Sequence, residues 1–365
     1  MGLIKDIYSP DFFRRFAGVA APVLPSFHSK TFTRMIFTDA FARMEWKERM
    51  LHTTTVFHHF MPPVFKEAAP LLLKLTDALT KAGWGEDNLA FVFLPEYVAT
   101  YGLNDFKRAV PLLERITQFV SCEFAVRPFL LQYGPDMMRA MHQWSLHKNE
   151  KVRRLASEGS RPRLPWALAI PALKKDPSPV LPLLENLKND PSAWVRKSVA
   201  NHLNDIAKDH PQVVLDIARK WKGTSKETDA IIKHGCRTLL KQGHPEILSF
   251  YGLKSRHLRL SGFRVQTPQV AVGQALEFSL TITNTHRQKQ PVRLEYGIYY
   301  RKANGSLYRK VFKISERDYQ PGEAITVNKK HSFKPITTRV FYAGAHQVSV
   351  IINGTEMANA SFTLA

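Results

Sequence analysis

Three acidic side chains stand out because each lies beside arginine in a phrase that returns along the chain. VRRLASEGSRPRLPW, from Val152 to Trp166, sets Glu158 among Arg153, Arg154, Arg161 and Arg163. SAWVRKSVANHLNDIAKDHP repeats it, with Asn201 in register with Glu158 and Asp205 one turn beyond on the same helix face. SCEFAVRPFL puts Glu123 three residues before its own anchor, Val126. Gathered carboxylates can stabilise a developing cation and orient or deprotonate a water, the chemistry of glycoside hydrolysis. The competing reading is that each acid merely pairs with its arginine and ties neighbouring repeats together. Cations outnumber acids in these phrases, so some are expected to face an anion such as phosphate. Arg154 and Lys197 come first, ahead of Arg153 and Arg196, whose Val-Arg position suits a bridge between repeats; Arg161 and Arg163 are further candidates. A lone Trp in LPW reads by default as core; the alternative for Trp166 is an exposed π-face for a cationic base.

The elements that must position these residues are helices. From Pro10 to about Leu253, apolar residues recur at three and four positions, as in FKEAAPLLLKLTDALTKAG and PQVVLDIARKW, with Gly or Pro breaks between. The anchors Val126, Val152, Val195 and Ile231 are separated by 26, 43 and 36 residues, near the length of a helical hairpin. Such units bury their apolar faces only by stacking, so residues 1–255 are expected to form an all-α HEAT-like repeat solenoid. Equivalent positions of successive repeats then line one concave groove, where Glu123, Glu158 and Asp205 converge.

Near His257 the apolar period shortens to two, in ALEFSLTITN, VRLEYGIYY, SLYRKVFKI, AITVNKKHSF and HQVSVIIN. Asn304-Gly305, Pro321-Gly322 and Asn353-Gly354 punctuate these segments, Asn-Gly being the favoured type I′ hairpin turn. About seven strands in residues 258–365 predict an all-β immunoglobulin-like sandwich, without the Cys pair and central Trp of antibody domains. The chain is therefore multidomain, and the sandwich is an expected accessory contact module.

Lys and Arg total 52 against 31 Asp and Glu, a formal charge of +21 that calls for a polyanionic partner. Both parts share it: from Leu258 onward there are 15 Lys/Arg and 6 Asp/Glu, leaving +12 for the first 257 residues. Two distant cysteines, Cys122 and Cys236, support neither a disulfide framework nor a zinc site, and fit a reducing cytoplasm. The opening MGLIKDIYSP has no secretory h-region, Asp6 stands where myristoylation needs Ser or Thr, and no apolar run reaches membrane-span length. Gly-rich phosphate loops, HExxH, G-x-S-x-G and CxxC are absent, so nucleotide hydrolysis, zinc hydrolysis, serine hydrolysis and thiol redox chemistry recede, along with any nucleotide cofactor.

At EFAVRPFL, VRRLASEGSRPRLPWA and DPSAWVRKSVANHLNDIAKDHP the chain resembles the bacterial AlkC/AlkD alkylpurine DNA glycosylases, and the AlkC branch more closely, because a C-terminal immunoglobulin-like domain occurs there. The resemblance implies a monofunctional base-excision enzyme, acting without metal or cofactor as a cytoplasmic, nucleoid-associated monomer. Its substrate would be double-stranded DNA containing alkylated bases, chiefly N3-methyladenine. It implies active-site roles for Glu158 and Asp205, a further acid at Glu123, and contact of Trp166 with the lesion or its sugar. The paired-Trp and Asp arrangement of the AlkD subgroup is not reproduced here. The readings this leaves open are a non-catalytic HEAT-like scaffold for nucleic acid or acidic protein, and an RNA-binding factor.

Overall fold

A computed structural model describes residues 3–84, 89–336 and 339–365. Met1 and Gly2, the first residues of the opening segment read for targeting signals, lie outside these. The chain divides into two compact units, Met1–Gly235 and Cys236–Ala365.

The first unit is a stack of helices in two layers. In one layer Trp46–His58, Phe93–Tyr101, the start of Val126–Trp144, Glu150–Gly159, Ala193–Ile206 and Lys226–Gly235 pack in succession. Phe65–Lys81, Phe106–Ile116, Leu181–Leu187 and Pro211–Trp221 lie behind them. Helix Val126–Trp144 serves both layers because it breaks at Gly134, whose φ of 37° and ψ of −102° a residue with a Cβ adopts poorly, and Pro135 follows directly. Its first half meets Glu150–Gly159; from its second half Trp144 Nε1 donates to Glu114 of the back layer at 2.7 Å. That shared helix explains the short 26-residue spacing between the first two anchors. The N-terminal end is filled by aromatics, Phe13, Phe16, Phe32, Phe57, Phe91 and Phe93 being fully buried there.

Arg153 braces its repeat to the next one, whereas Arg196 at the equivalent position ties down the loop leading into its own helix. Arg153 binds Asp190 through Nε at 2.6 Å and Nη2 at 3.0 Å, and donates to the carbonyls of His147 and Lys148. Arg196 donates to the carbonyls of Asp190 and Pro191. Among the described residues no helix is long and apolar enough to cross a membrane.

The second unit contains the sandwich. Strands β1 (Leu258–Val265), β3 (Ala275–Asn284) and β6 (Ala324–Ser332) form one sheet in the order β1-β3-β6. Strands β2 (Gln269–Val270), β8 (Thr355–Leu364), β7 (Gly344–Ile352), β4 (Gln290–Arg301) and β5 (Leu307–Tyr319) form the other in that order. Alternation along β3 sends Leu276, Phe278, Leu280 and Ile282 inward to meet Leu294, Ile298, Val348 and Val350. Between the sheets, His331 of β6 sits between Tyr296 and Tyr300 of β4, 2.9 and 2.8 Å from their hydroxyls.

Two details differ from the sequence reading. The domain boundary was expected at residues 255–258, yet helices Arg237–Gln242 and Pro245–Phe250 belong to the sandwich unit. The β7–β8 turn holds them: Asn353 Nδ2 donates to Lys254 O at 2.8 Å, and Gly243 lies so close to Gly354 that a Cβ would come within 2.7 Å of its carbonyl oxygen. Asn353-Gly354 does form a type I′ turn, both residues having positive φ (48° and 78°), but Asn304 does not share this conformation. Gly305 N instead donates to Lys302 O, a type I turn followed by a left-handed glycine at φ 80°.

Removing the Arg153 brace leaves Asp190 and two carbonyls without their partner. Arg153→Ala is expected to lower unfolding free energy by about 3 kcal/mol in urea titration, whereas Arg14→Ala, breaking an exposed pair with Asp11, should change it by less than ~0.5 kcal/mol.

Candidate active site

Glu158 and Asp205 each occupy the last turn of a helix, Glu150–Gly159 and Ala193–Ile206. Carbonyl ends of helices disfavour negative charge, and both side chains are buried, at 6% and 2% exposure. Arg161 compensates by lying between them. Its Nη1 donates to Glu158 Oε1 at 2.5 Å and its Nε to Asp205 Oδ2 at 2.9 Å. Burial opposes the guanidinium charge, but Glu158 and Asp205 outweigh that and hold its pKa above the ordinary arginine value. The remaining oxygens are also engaged: Ser198 Oγ donates to Glu158 Oε2 at 2.6 Å, and Lys208 Nζ lies 3.1 Å from Asp205 Oδ1. Asn201 is the repeat equivalent of Glu158; the residue of that helix that touches Glu158 is Ser198, one turn earlier.

Glu123 closes the group from the start of the preceding repeat. Its Oε2 accepts from Arg154 Nη1 at 2.8 Å and Ser121 Oγ at 2.9 Å. Arg154 also lies over the Trp194 ring at 4.3 Å. Glu123 is the more open acid, its side chain 19% exposed.

Behind all three acids is Arg127, which was not singled out in the sequence. It is fully buried, and burial, with Arg161 beside it, pushes its pKa down to about 10 against the opposing pull of Asp205, Glu123 and Glu158. Its Nη1 donates to the carbonyls of Gly159 and Arg161 at 2.9 and 2.8 Å, and its Nε donates to Leu168 O. One side chain thus fixes both ends of the segment 159–168. The only signal was its position in a Val-Arg pair, which does not reveal partners 32 to 41 residues away.

The Trp166 side chain is not core. It is 64% exposed on a left-handed backbone, φ 62°, a conformation costing on the order of 1–3 kcal/mol for a non-glycine residue. Its ring leans on Trp46 at 5.9 Å and 45°, and Trp46 packs edge-on against Phe124 at 6.3 Å. Pro162, Pro165 and the carbonyl anchors of Arg127 constrain the backbone that presents the indole outward.

The cations expected at phosphate divide by partner. Arg161 is corrected outright: buried between two carboxylates, it cannot reach an external anion. Arg163 forms a two-point pair with Asp209, at 3.1 and 2.6 Å, which lowers the pKa of that acid. Arg154 is held by Glu123. Lys197 is exposed and has no ion pair among the described residues. No group of three or more His, Cys, Asp or Glu among the described residues could hold a metal ion.

Gly159 and His202 complete the packing. Gly159 lets its helix approach the preceding one: a Cβ there would lie 2.6 Å from Val126 Cγ2. His202 is fully buried, and burial plus the charges of Arg161 and Arg127 push its pKa down to about 3. Its unfolded value is near 6.5, so the unfolded chain binds the extra proton between those limits. The stability from this neutral imidazole is complete above pH 6.5 and declines as pH falls toward 3, by up to about 1.4 kcal/mol per unit. Urea midpoints measured from pH 7.5 to 5 should therefore fall more steeply for the wild type than for His202→Asn; identical slopes would contradict a neutral buried ring. Gly159→Ala should cost about 1–3 kcal/mol by overpacking, read as a lower melting temperature.

A family model described as DNA alkylation repair enzyme matches residues 53–239. A second, described as the C-terminal Ig-like domain of uncharacterised protein YhaZ, matches residues 259–365. The chain is 41% identical over 355 residues to uncharacterized protein YhaZ of Bacillus subtilis (strain 168), covering 97% of each. It is similar in structure to Pseudomonas fluorescens alkylpurine DNA glycosylase AlkC bound to DNA containing an abasic site analog, with a TM-score of 0.92, 34% identity and 100% of both chains covered. The chain belongs to the DNA alkylation repair enzyme family.

Proposed function

We propose that this protein is a monofunctional DNA glycosylase that hydrolyses the N-glycosidic bond of cationic alkylated bases, chiefly N3-methyladenine, in duplex DNA. The observation that carries the reading is the cluster of Glu123, Glu158 and Asp205 around Arg161 and Arg127, with the Trp166 indole exposed on the segment those arginines hold. Family membership, the DNA-bound relative and the charge of +21 support it.

A base that already carries positive charge needs no strong acid to leave, so the enzyme must chiefly stabilise the electron-poor sugar that remains. Charges about 4 Å apart at an effective dielectric near 20 interact by roughly 4 kcal/mol, enough for nearly three orders of magnitude in rate. Glu123 is the acid placed to orient and deprotonate the water, since Glu158 and Asp205 are buried and fully engaged. Those two supply negative potential behind it. Trp166 offers a π-face to the cationic base or an apolar face to its sugar. Neutral bases leave poorly from such a site, so selectivity resides partly in the lesion. Lys197 contacts a backbone phosphate, and the sandwich, with its own surplus of cations, contributes a second contact to the duplex.

Incubation with methylated duplex DNA, followed by chromatography of the freed bases, tests this. Glu123→Gln is expected to slow release by about a hundredfold to a thousandfold while affinity for a duplex with an abasic-site analogue stays within threefold. Glu158→Gln and Asp205→Asn should also lose activity. Full activity in all three variants would leave the carboxylates as ion-pair braces and the protein as a scaffold. Lys197→Ala should weaken binding to all duplexes alike and reduce the slope of log affinity against log salt by about one.

A further inference from the structure

Trp166 adopts a backbone conformation that side chains with a Cβ resist, and its side chain is mostly exposed, so burial does little to hold it. Arg127 fixes the segment at Gly159, Arg161 and Leu168. A further anchor comes from much earlier in the chain: Lys47 Nζ donates to Trp166 O across 119 residues. Lys47 begins helix Trp46–His58, immediately after the tryptophan on which the Trp166 ring leans. Its ammonium also lies 5.7 Å from the Phe124 ring and within electrostatic reach of Glu96, a carboxyl whose pKa burial raises and Lys47 lowers. The start of one helix therefore holds the carbonyl of Trp166 and one side of its ring.

We propose that Lys47 is a positioning residue for base excision: by holding the Trp166 carbonyl it fixes the left-handed turn that presents the indole to the lesion. This rests on the role given to Trp166 above. Lys47 acts through Trp166 and makes no contact with DNA of its own.

The test is a double-mutant cycle on the full-length protein, with single-turnover base release from methylated duplex DNA as one measurement. Lys47→Met should slow the step by tenfold to a hundredfold, with affinity for abasic-analogue duplex and its salt slope unchanged, and Lys47→Arg should restore most of the rate. In a Trp166→Ala background, Lys47→Met should have no further effect. A loss of equal size in both backgrounds, or a smaller salt slope, would make Lys47 a DNA contact and overturn the proposal; so would an unchanged rate beside an impaired Trp166→Ala. The second measurement needs no activity: acrylamide quenching of Trp166 emission, isolated by difference from Trp166→Phe, should change in Lys47→Met. Unchanged quenching would refute the link between the two residues. Failure of the wild type to release any base would instead refute the glycosylase reading, leaving the quenching result to judge Lys47 separately.

Discussion

Everything at the site depends on one guanidinium shared by two buried carboxylates. Arg161 lies three residues after Glu158 in the chain but reaches Asp205 on the next repeat, so the ion pairs cross the seam between two helices. Two acids buried at the carbonyl ends of adjacent helices would repel each other and their own backbones; with Arg161 between them they hold the repeats in register. Removing the arginine would strip both buried acids of their shared ion-pair partner, far more costly than never having buried them. Negative potential concentrated in this way is tolerable only where cations are built in permanently. Arg127 and Lys208 complete that balance from behind and beside.

The same arrangement reconciles two readings that looked exclusive. Each acid does pair with an arginine, as a brace between repeats would. Yet the pairs lie together, and Glu123 keeps more exposure than the other two. Ion pairing accounts for how such charges survive in a folded protein. It does not account for an exposed tryptophan held on an unfavourable backbone beside them.

The helical stack and sandwich were legible because periods of 3.6 and 2 are written directly in the apolar residues. The acids were legible because a repeated phrase with surplus arginine draws attention to them. What stayed hidden depends on contacts across many residues. Arg127 donates from Nε and Nη1 to carbonyls, which have no sequence signature. Ser198 and His202 sit in a mixed stretch of polar and apolar residues where nothing distinguishes them. Trp166 reads as core in any composition-based account, since nothing in LPW announces a left-handed backbone; that follows from anchors at Lys47 and Arg127, both far away in the chain. Helices Arg237–Gln242 and Pro245–Phe250 show the same limit at domain scale: helical periodicity records that one face is covered, not what covers it.

Helix Val126–Trp144, bent at Gly134, has a mechanical consequence. Most neighbouring repeats meet through loops, which absorb small displacements. Here a single bent rod passes from the back layer, where Trp144 grips Glu114, to the acid-bearing layer, where Val126 presses on Gly159. A displacement at the rear is thereby coupled to the turn carrying Glu158 through one continuous stretch of chain, with the break at Gly134 as its joint.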